Sequence, residues 1–212
     1  AVKKVRLSTF LTQIKESFEV IAEQRKIEFL LILEDRLPEF IWIDPDQIEK
    51  VFFNLIFNAF KFTPDGGQII IRAKPQNFSE NKSSSIPGIS IEVQDNGVGI
   101  PQEQLDRVFD RFFQVKEQSG KQTAGTGIGL ALSKNLVDFH KGEINVESVP
   151  KEKTIFRVYL RQGFEHFDKH ELTDDDYFTV EKEWVKTEVA RLSLQTSPSL
   201  IGKKDLQIPD SP

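Results

Sequence analysis

Asn54, Asn58 and Lys61 stand four and then three residues apart in the run N-L-I-F-N-A-F-K-F. On a helix those spacings put all three on one side. Asparagine is a poor residue for a helix interior, and a buried amide costs free energy unless it is bonded. The stripe is therefore either a pair of satisfied buried amides or a slot in which amide oxygens and an ammonium meet an anion, alone or with a metal. Two glycine clusters bear on the choice. Asp95-Asn96-Gly97-Val98-Gly99-Ile100, taken alone, reads as a hairpin turn, because Asp-Gly and Asn-Gly favour such turns. No matching strand follows it, however, and the chain enters a long polar segment of the kind that is usually functional or disordered. Gly125-Thr126-Gly127-Ile128-Gly129-Leu130 then opens a helical stretch, where backbone N–H groups can converge on an anion. Two such clusters bracketing a long segment, downstream of the amide stripe, favour the slot.

The stripe needs a helix, and Asp44 to Phe62 supplies one. Asp44 followed by Pro45 is a helix start. Ile48, Val51, Phe52, Leu55 and Ala59 fall on one face, and Phe53, Ile56, Phe57 and Phe60 cover the next. Such a helix is buried on more than one side. Gln47 and Lys50 extend its polar stripe, and Thr63-Pro64-Asp65-Gly66-Gly67 ends it. Upstream, residues 5–7 suit a short strand, and Ser8 or Thr9 is expected to cap a helix carrying Phe10, Leu11, Ile14, Phe18, Ile21 and Ala22. Strands are expected at 26–33, 40–43, 68–73, 88–93, 143–147 and 155–160, a loop at 75–87, an amphipathic patch at 103–115, and a helix from Thr126 or Gly127 through Phe139. Strands interleaved with three helices predict an α/β two-layer sandwich, with the helices on one face of a mixed sheet.

Composition narrows the setting. The 212 residues include 18 Phe and no Cys, so a sizeable core is available and a disulfide framework or thiolate metal site is excluded. Phe29 to Leu33, the longest aliphatic run, is too short to span a bilayer. The chain starts at Ala1 and contains no Met, which reads as a piece of a longer protein. Of the charged residues, 11 acidic and 6 basic lie from Phe164 onward, leaving 22 of each before it. The body is neutral and the tail acidic. Nothing suggests a nucleic-acid partner.

Three blocks, N-L-I-F-N-A-F-K-F-T-P, D-N-G-V-G-I-P and G-T-G-I-G-L-A-L-S-K, closely resemble the N, G1 and G2 boxes of sensor histidine kinase catalytic domains. D-R-F-F-Q-V (residues 110–115) resembles the intervening F box, and the likeness runs from about Val5 to Leu160. The resemblance implies the Bergerat ATP-binding fold with a long ATP lid. It implies that Asn58 gives an amide oxygen to Mg2+, that Lys61 sits against phosphate, and that Phe62 stacks on adenine. It makes Asp95 the acceptor for the adenine amine. Gly97, Gly99 and Ile100 then lie along the base, and Gly125, Thr126, Gly127, Gly129 and Leu130 along the triphosphate. Phe109, Phe112 and Phe113 anchor the lid, though they also suit an ordinary core. Asn54 stands where related ATPases have a glutamate that activates water. An amide cannot act as that base, so slow hydrolysis and transfer of the γ-phosphoryl are expected.

The implied acceptor is a histidine on dimerisation helices elsewhere in the parent. His140, His166 and His170 match no phosphoacceptor helix. The further implications are a response-regulator receiver domain as partner, a monomeric fragment from a homodimeric parent, and a cytoplasmic catalytic domain in a parent anchored to a membrane. Residues 1–162 are expected to form the catalytic domain. Residues 163–212, with Asp174, Asp175 and Asp176 and a patch of Val180, Trp184, Val185, Val189 and Leu192, are expected to form an acidic linker of the kind found in hybrid kinases, docked or not. The last strand departs from the family pattern, with Lys151 to Thr154 in place of a glycine turn and Leu160-Arg161 in place of Leu-Pro. Two rivals remain: a nucleotide-sensing regulatory module, and an ATPase of the same superfamily, with an anti-sigma type serine kinase behind them.

Overall fold

The computed structural model describes residues 1–81, 84–114 and 126–173. Val115, Gly125 and the tail residues from Asp174 onward lie outside them. A five-stranded sheet runs in the order β2 (Glu28–Leu33), β4 (Gln68–Pro75), β7 (Gly88–Asp95), β9 (Lys153–Arg161), β8 (Glu143–Val149). β2 is parallel to β4 and the other pairs are antiparallel. The sheet is mixed, as expected. β1 (Lys3–Arg6) and β3 (Phe40–Ile43) form a separate antiparallel pair.

Helices α1 (Leu7–Glu16), α3 (Pro45–Phe62) and α5 (Gly129–Phe139) accompany the sheet, with the short α2 (Glu19–Gln24) and α4 (Gln102–Leu105). Alternation decides which side is covered. Ile69, Ile71 and Ala73 of β4 are fully buried, while Ile70, Arg72 and Lys74 on the other face are only half-buried. Helix α3 lies over the buried side and is the most enclosed element: Ile48, Val51, Phe52, Phe53, Leu55, Ile56 and Phe60 are each 0 % exposed. Phe18 and Phe29 close around it, the Phe18 ring stacked on Phe60 at 5.7 Å and that of Phe29 edge-on to it at 5.3 Å. On the open side Glu92 bonds Lys74 at 2.8 Å and Arg157 at 2.9 Å, and Arg157 reaches Glu147 at 2.6 Å.

Five features differ from expectation, each for a local reason. Helix α1 starts at Leu7, with Arg6 ahead of it making no side-chain cap, so neither Ser8 nor Thr9 is the cap. The expected single helix breaks after Glu16. There the Ser17 hydroxyl and its N–H both bond the Gln13 carbonyl, competition typical of serine. The turn that follows leaves Phe18 fully buried. The expected 75–87 loop contains a hairpin, β5 (Phe78–Asn81) and β6 (Ser84–Ile86), whose backbone groups pair whatever the polarity of the side chains. The 103–115 patch yields only α4, and Phe112 sits at φ +64°, outside helical geometry. Helix α5 begins at Gly129 rather than Thr126 or Gly127, because Gly127 takes φ +67°, which a right-handed helix excludes.

Candidate functional site

Helix α3 is built as its ends predict. The Asp44 carboxylate accepts the Gln47 N–H at 3.2 Å, with Pro45 in the first turn. Two partners invisible in the sequence fix it further. The Asp44 N–H donates to His140 Nε2 at 3.0 Å, and His140 Nδ1 donates to the Leu136 carbonyl at 2.7 Å. At the other end buried Arg25 donates to the carbonyls of Phe60 and Thr63 (2.7 Å for Thr63) and pairs with Asp65 at 2.7 Å. A cation there satisfies carbonyls that the helix leaves orphaned and complements its dipole.

Between these anchors the polar stripe is half-buried at Gln47, Asn54, Asn58 and Lys61 and exposed at Lys50. The Asn54 amide nitrogen donates to Ser133 of α5 at 2.9 Å. Asn58 makes no side-chain hydrogen bond among the described residues. Burial pushes the Lys61 ammonium below its ordinary value, and Lys61 Nζ lies 4.9 Å from the centroid of the half-buried Phe62 ring.

The first glycine cluster meets the C-terminal end of this helix. Val98 donates its N–H to the Phe62 carbonyl at 3.2 Å. Asp95 ends β7 opposite Ile69 on one side and Thr154 on the other. Its carboxyl is 5 % exposed and accepts the Gly97 N–H at 2.9 Å. Burial raises it to about 6, against the lowering effect of that bond. The segment is no hairpin turn: the β8–β9 connection holds it, through Lys151 N–H to the Val98 carbonyl at 2.9 Å and Ile100 N–H to Ser148 Oγ at 2.8 Å. Gly99 is half-buried between them.

The second cluster meets the middle of the helix. A Cβ at Gly129 would collide with the Asn54 side-chain oxygen, so glycine there leaves Asn54 its present place against α5. Leu130 packs against the core, while Thr126 is exposed. Phe112 is exposed and its N–H donates to the Gly127 carbonyl at 2.8 Å. The Arg107 guanidinium lies 4.7 Å from the Phe113 ring centroid, and Phe109 meets Phe156 edge-on at 6.2 Å. The polar stripe of α3 is thus flanked by the 95–100 turn at its C-terminal end and by the start of α5 at its middle. Arg25, Ser133 and His140 were not legible beforehand, since their partners lie 35 to 96 residues away.

Curated relatives that this chain resembles include histidine kinases. Sensor histidine kinase WalK of Bacillus subtilis is 35 % identical over 156 residues, covering 74 % of this chain and 24 % of that protein. Hybrid signal transduction histidine kinase D of Dictyostelium discoideum is 32 % identical over 182 residues, covering 84 % of this chain and 11 % of its own length. The chain thus spans a quarter or less of these relatives. Among solved structures, the catalytic domain of histidine kinase ThkA aligns with TM-score 0.61 at 22 % identity, over 76 % of this chain and 98 % of that one. The mycobacterial sensor histidine kinase MprB aligns with TM-score 0.56 at 25 % identity, over 75 % and 97 %. Residues 43–163 match the family described as histidine kinase-, DNA gyrase B-, and HSP90-like ATPase, and the chain belongs to that family, as an ATP-binding catalytic domain of the sensor histidine kinase kind.

Proposed function

We propose that this domain binds Mg-ATP between α3, the 95–100 turn and the start of α5, and passes the γ-phosphoryl to a histidine on dimerisation helices of its parent protein. The observation that carries the reading is the buried Asp95 carboxyl, with a single hydrogen bond among the described residues, beside the end of the helix that bears Asn54, Asn58 and Lys61. A buried acceptor of this kind favours a ligand that brings an N–H, as the adenine amine does. Phe62 then supplies a ring face to the base, and Gly97, Gly99 and Ile100 line its edge. Lys61 provides the charge for a phosphate, whose binding would restore its depressed basicity. Thr126, Gly127, Gly129 and Leu130, with Gly125 outside the described residues, are the proposed phosphate lining. Phe113 closes the lid side.

The residues fit a magnesium ion. Asn58 offers a half-buried amide oxygen without a side-chain partner among the described residues, and magnesium takes oxygen ligands while keeping waters beside phosphates. The ion supplies neutralisation of phosphate charge when bound. Asn54, an amide, cannot take a proton from water, so hydrolysis is expected to be slow and positioning to do most of the catalysis. His140 is 1 % exposed and held at both ring nitrogens, which leaves it no role as acceptor. A receiver domain is the proposed downstream partner. ThkA, whose fold this chain shares, has been solved with response regulator protein TrrA.

The test is a titration with a fluorescent ATP analogue, with and without Mg2+, for the native chain and Asn58→Ala. Magnesium should strengthen native binding about tenfold and have no such effect in the variant. A histidine-bearing helical hairpin added to the ATP-loaded chain should then acquire phosphate. Binding without transfer would favour the nucleotide-sensing module, and steady fast hydrolysis the ATPase.

A further inference from the structure

We infer that Ser133 is a positioning residue that holds the Asn54 side chain in place beside the start of α5. This rests on the nucleotide site proposed above. Three observations place the residue. Ser133 is a hydroxyl on α5, only 2 % exposed, in a helix whose other buried positions, Ala131 and Val137, are apolar. Its Oγ accepts the Asn54 Nδ2–H at 2.9 Å, across 79 residues of sequence. The oxygen of the same amide lies against Gly129, and a Cβ there would push it aside.

The two neighbours act together. An asparagine amide can rotate by half a turn with little change in shape, exchanging a donor for an acceptor. A serine hydroxyl can partner either end of that amide, so its bond anchors the side chain as a whole, and Gly129 leaves room for the oxygen on the side where α5 begins. That side is the end of α5 assigned above to phosphates and their magnesium. An amide oxygen held there is compatible with a cation or its bound water. Ser133 touches no substrate, and it acts through Asn54 alone. Because it sits one turn beyond Gly129 on the same helix, any movement of the start of α5 also moves the hydroxyl that holds Asn54.

The test compares Ser133→Ala, which removes the acceptor, with Ser133→Thr, which keeps it. In the nucleotide-free chain, the Asn54 side-chain amide protons are followed by NMR, assigned through Asn54→Ala. One proton should exchange slowly in the native chain and in Ser133→Thr, and rapidly in Ser133→Ala. In the fluorescent-analogue titration, Ser133→Ala should keep its magnesium-free affinity and lose magnesium-dependent binding by about five- to tenfold, with Ser133→Thr restoring it. Unchanged exchange in Ser133→Ala, or a uniform loss of binding with and without magnesium, would overturn the inference. If Ser133→Ala does not fold, Ser133→Cys, with its weaker acceptor, should fall between native and threonine on one side and total loss on the other; native behaviour in it counts against the idea. The nucleotide-free measurement stands even where ATP does not bind, so failure of the site and failure of the Ser133 inference are told apart.

Discussion

The Asp95 carboxyl has a single hydrogen-bond donor among the described residues, the Gly97 N–H, and is almost wholly buried. Burial raises it to about 6 from an ordinary 3.8. Well below its ordinary 3.8 both folded and unfolded chains carry it protonated, and it costs the fold little. As pH rises toward 6 the unfolded chain ionises first, so folded stability falls, and above 6 the loss is complete. Two units correspond to about 3 kcal/mol. Asp95→Asn keeps an oxygen for the Gly97 N–H and removes the charge. It should therefore raise stability by about 2–3 kcal/mol at pH 7.5 and leave it nearly unchanged at pH 4, by urea denaturation. The same variant should lose ATP binding by a factor of about a hundred, because an amide no longer offers a charged acceptor to the base. A stabilised protein that has lost its ligand is the signature of a residue kept for binding. Retained affinity would remove Asp95 from the adenine contact.

Helix α3 is held at both ends by groups brought from elsewhere, and the end that matters to the site depends on Arg25. Its guanidinium meets two helix-end carbonyls and Asp65 at once. Arg25→Ala should cost about 2–4 kcal/mol in urea denaturation, since it leaves buried carbonyls without donors. It should also weaken nucleotide binding several-fold, because Lys61 and Phe62 occupy the turn it secures. Arg25→Lys should recover only part of this, a lysine lacking the fork that spans three partners. The contrast between this residue and the helix it caps shows where the sequence was readable. Asp44-Pro45 and Thr63-Pro64 act on neighbours three or four residues away, so the limits of α3 could be read from the chain, and the spacing of Asn54, Asn58 and Lys61 gave the stripe. Arg25 is one of many basic residues near a helix end, and nothing local says that it folds inward to meet residues 35 to 40 positions on. The Asn54–Ser133 and Asp44–His140 pairs are hidden for the same reason. The hairpin at 78–86 was missed because backbone pairing needs no apolar alternation, and the Ser17 break because one side-chain bond competes with a helix whose apolar spacing continues through it.

At the scale of the whole molecule, the chain beyond the last strand does not leave the body at residue 162. Val2 donates its N–H to the Glu171 carbonyl at 2.8 Å and accepts from the Thr173 N–H at 3.0 Å, so Val2 and Leu172 form a parallel bridge. The rings of Phe164 and Trp42 lie 5.0 Å apart, and buried Phe167 meets the His140 ring edge-on at 5.9 Å. We therefore expect the stable unit to extend to about residue 173. A chain ending at residue 162 should unfold at lower urea than one ending at 173, by about 2–4 kcal/mol at pH 7.5, the scale of one buried phenylalanine and its neighbours. The size of that gap should depend on pH. Burial pushes His140 below its ordinary value, outweighing the Leu136 carbonyl and the charges of Asp44 and Glu171 that favour its protonation. His166, within the docked segment, is likewise pushed down, to about 4. A histidine held neutral in the fold lets the unfolded chain bind protons first, so its contribution is lost as pH falls through 6.5. Without residues 163–173 water reaches His140, its basicity returns toward the ordinary value, and His166 is gone. The longer chain should then lose more stability than the shorter one between pH 7.5 and 5, and the gap should narrow. Asp95 shifts both chains equally and cancels. Equal urea midpoints at pH 7.5 would mean that the segment after Arg161 is a passive linker and that the catalytic domain ends where the sequence placed it.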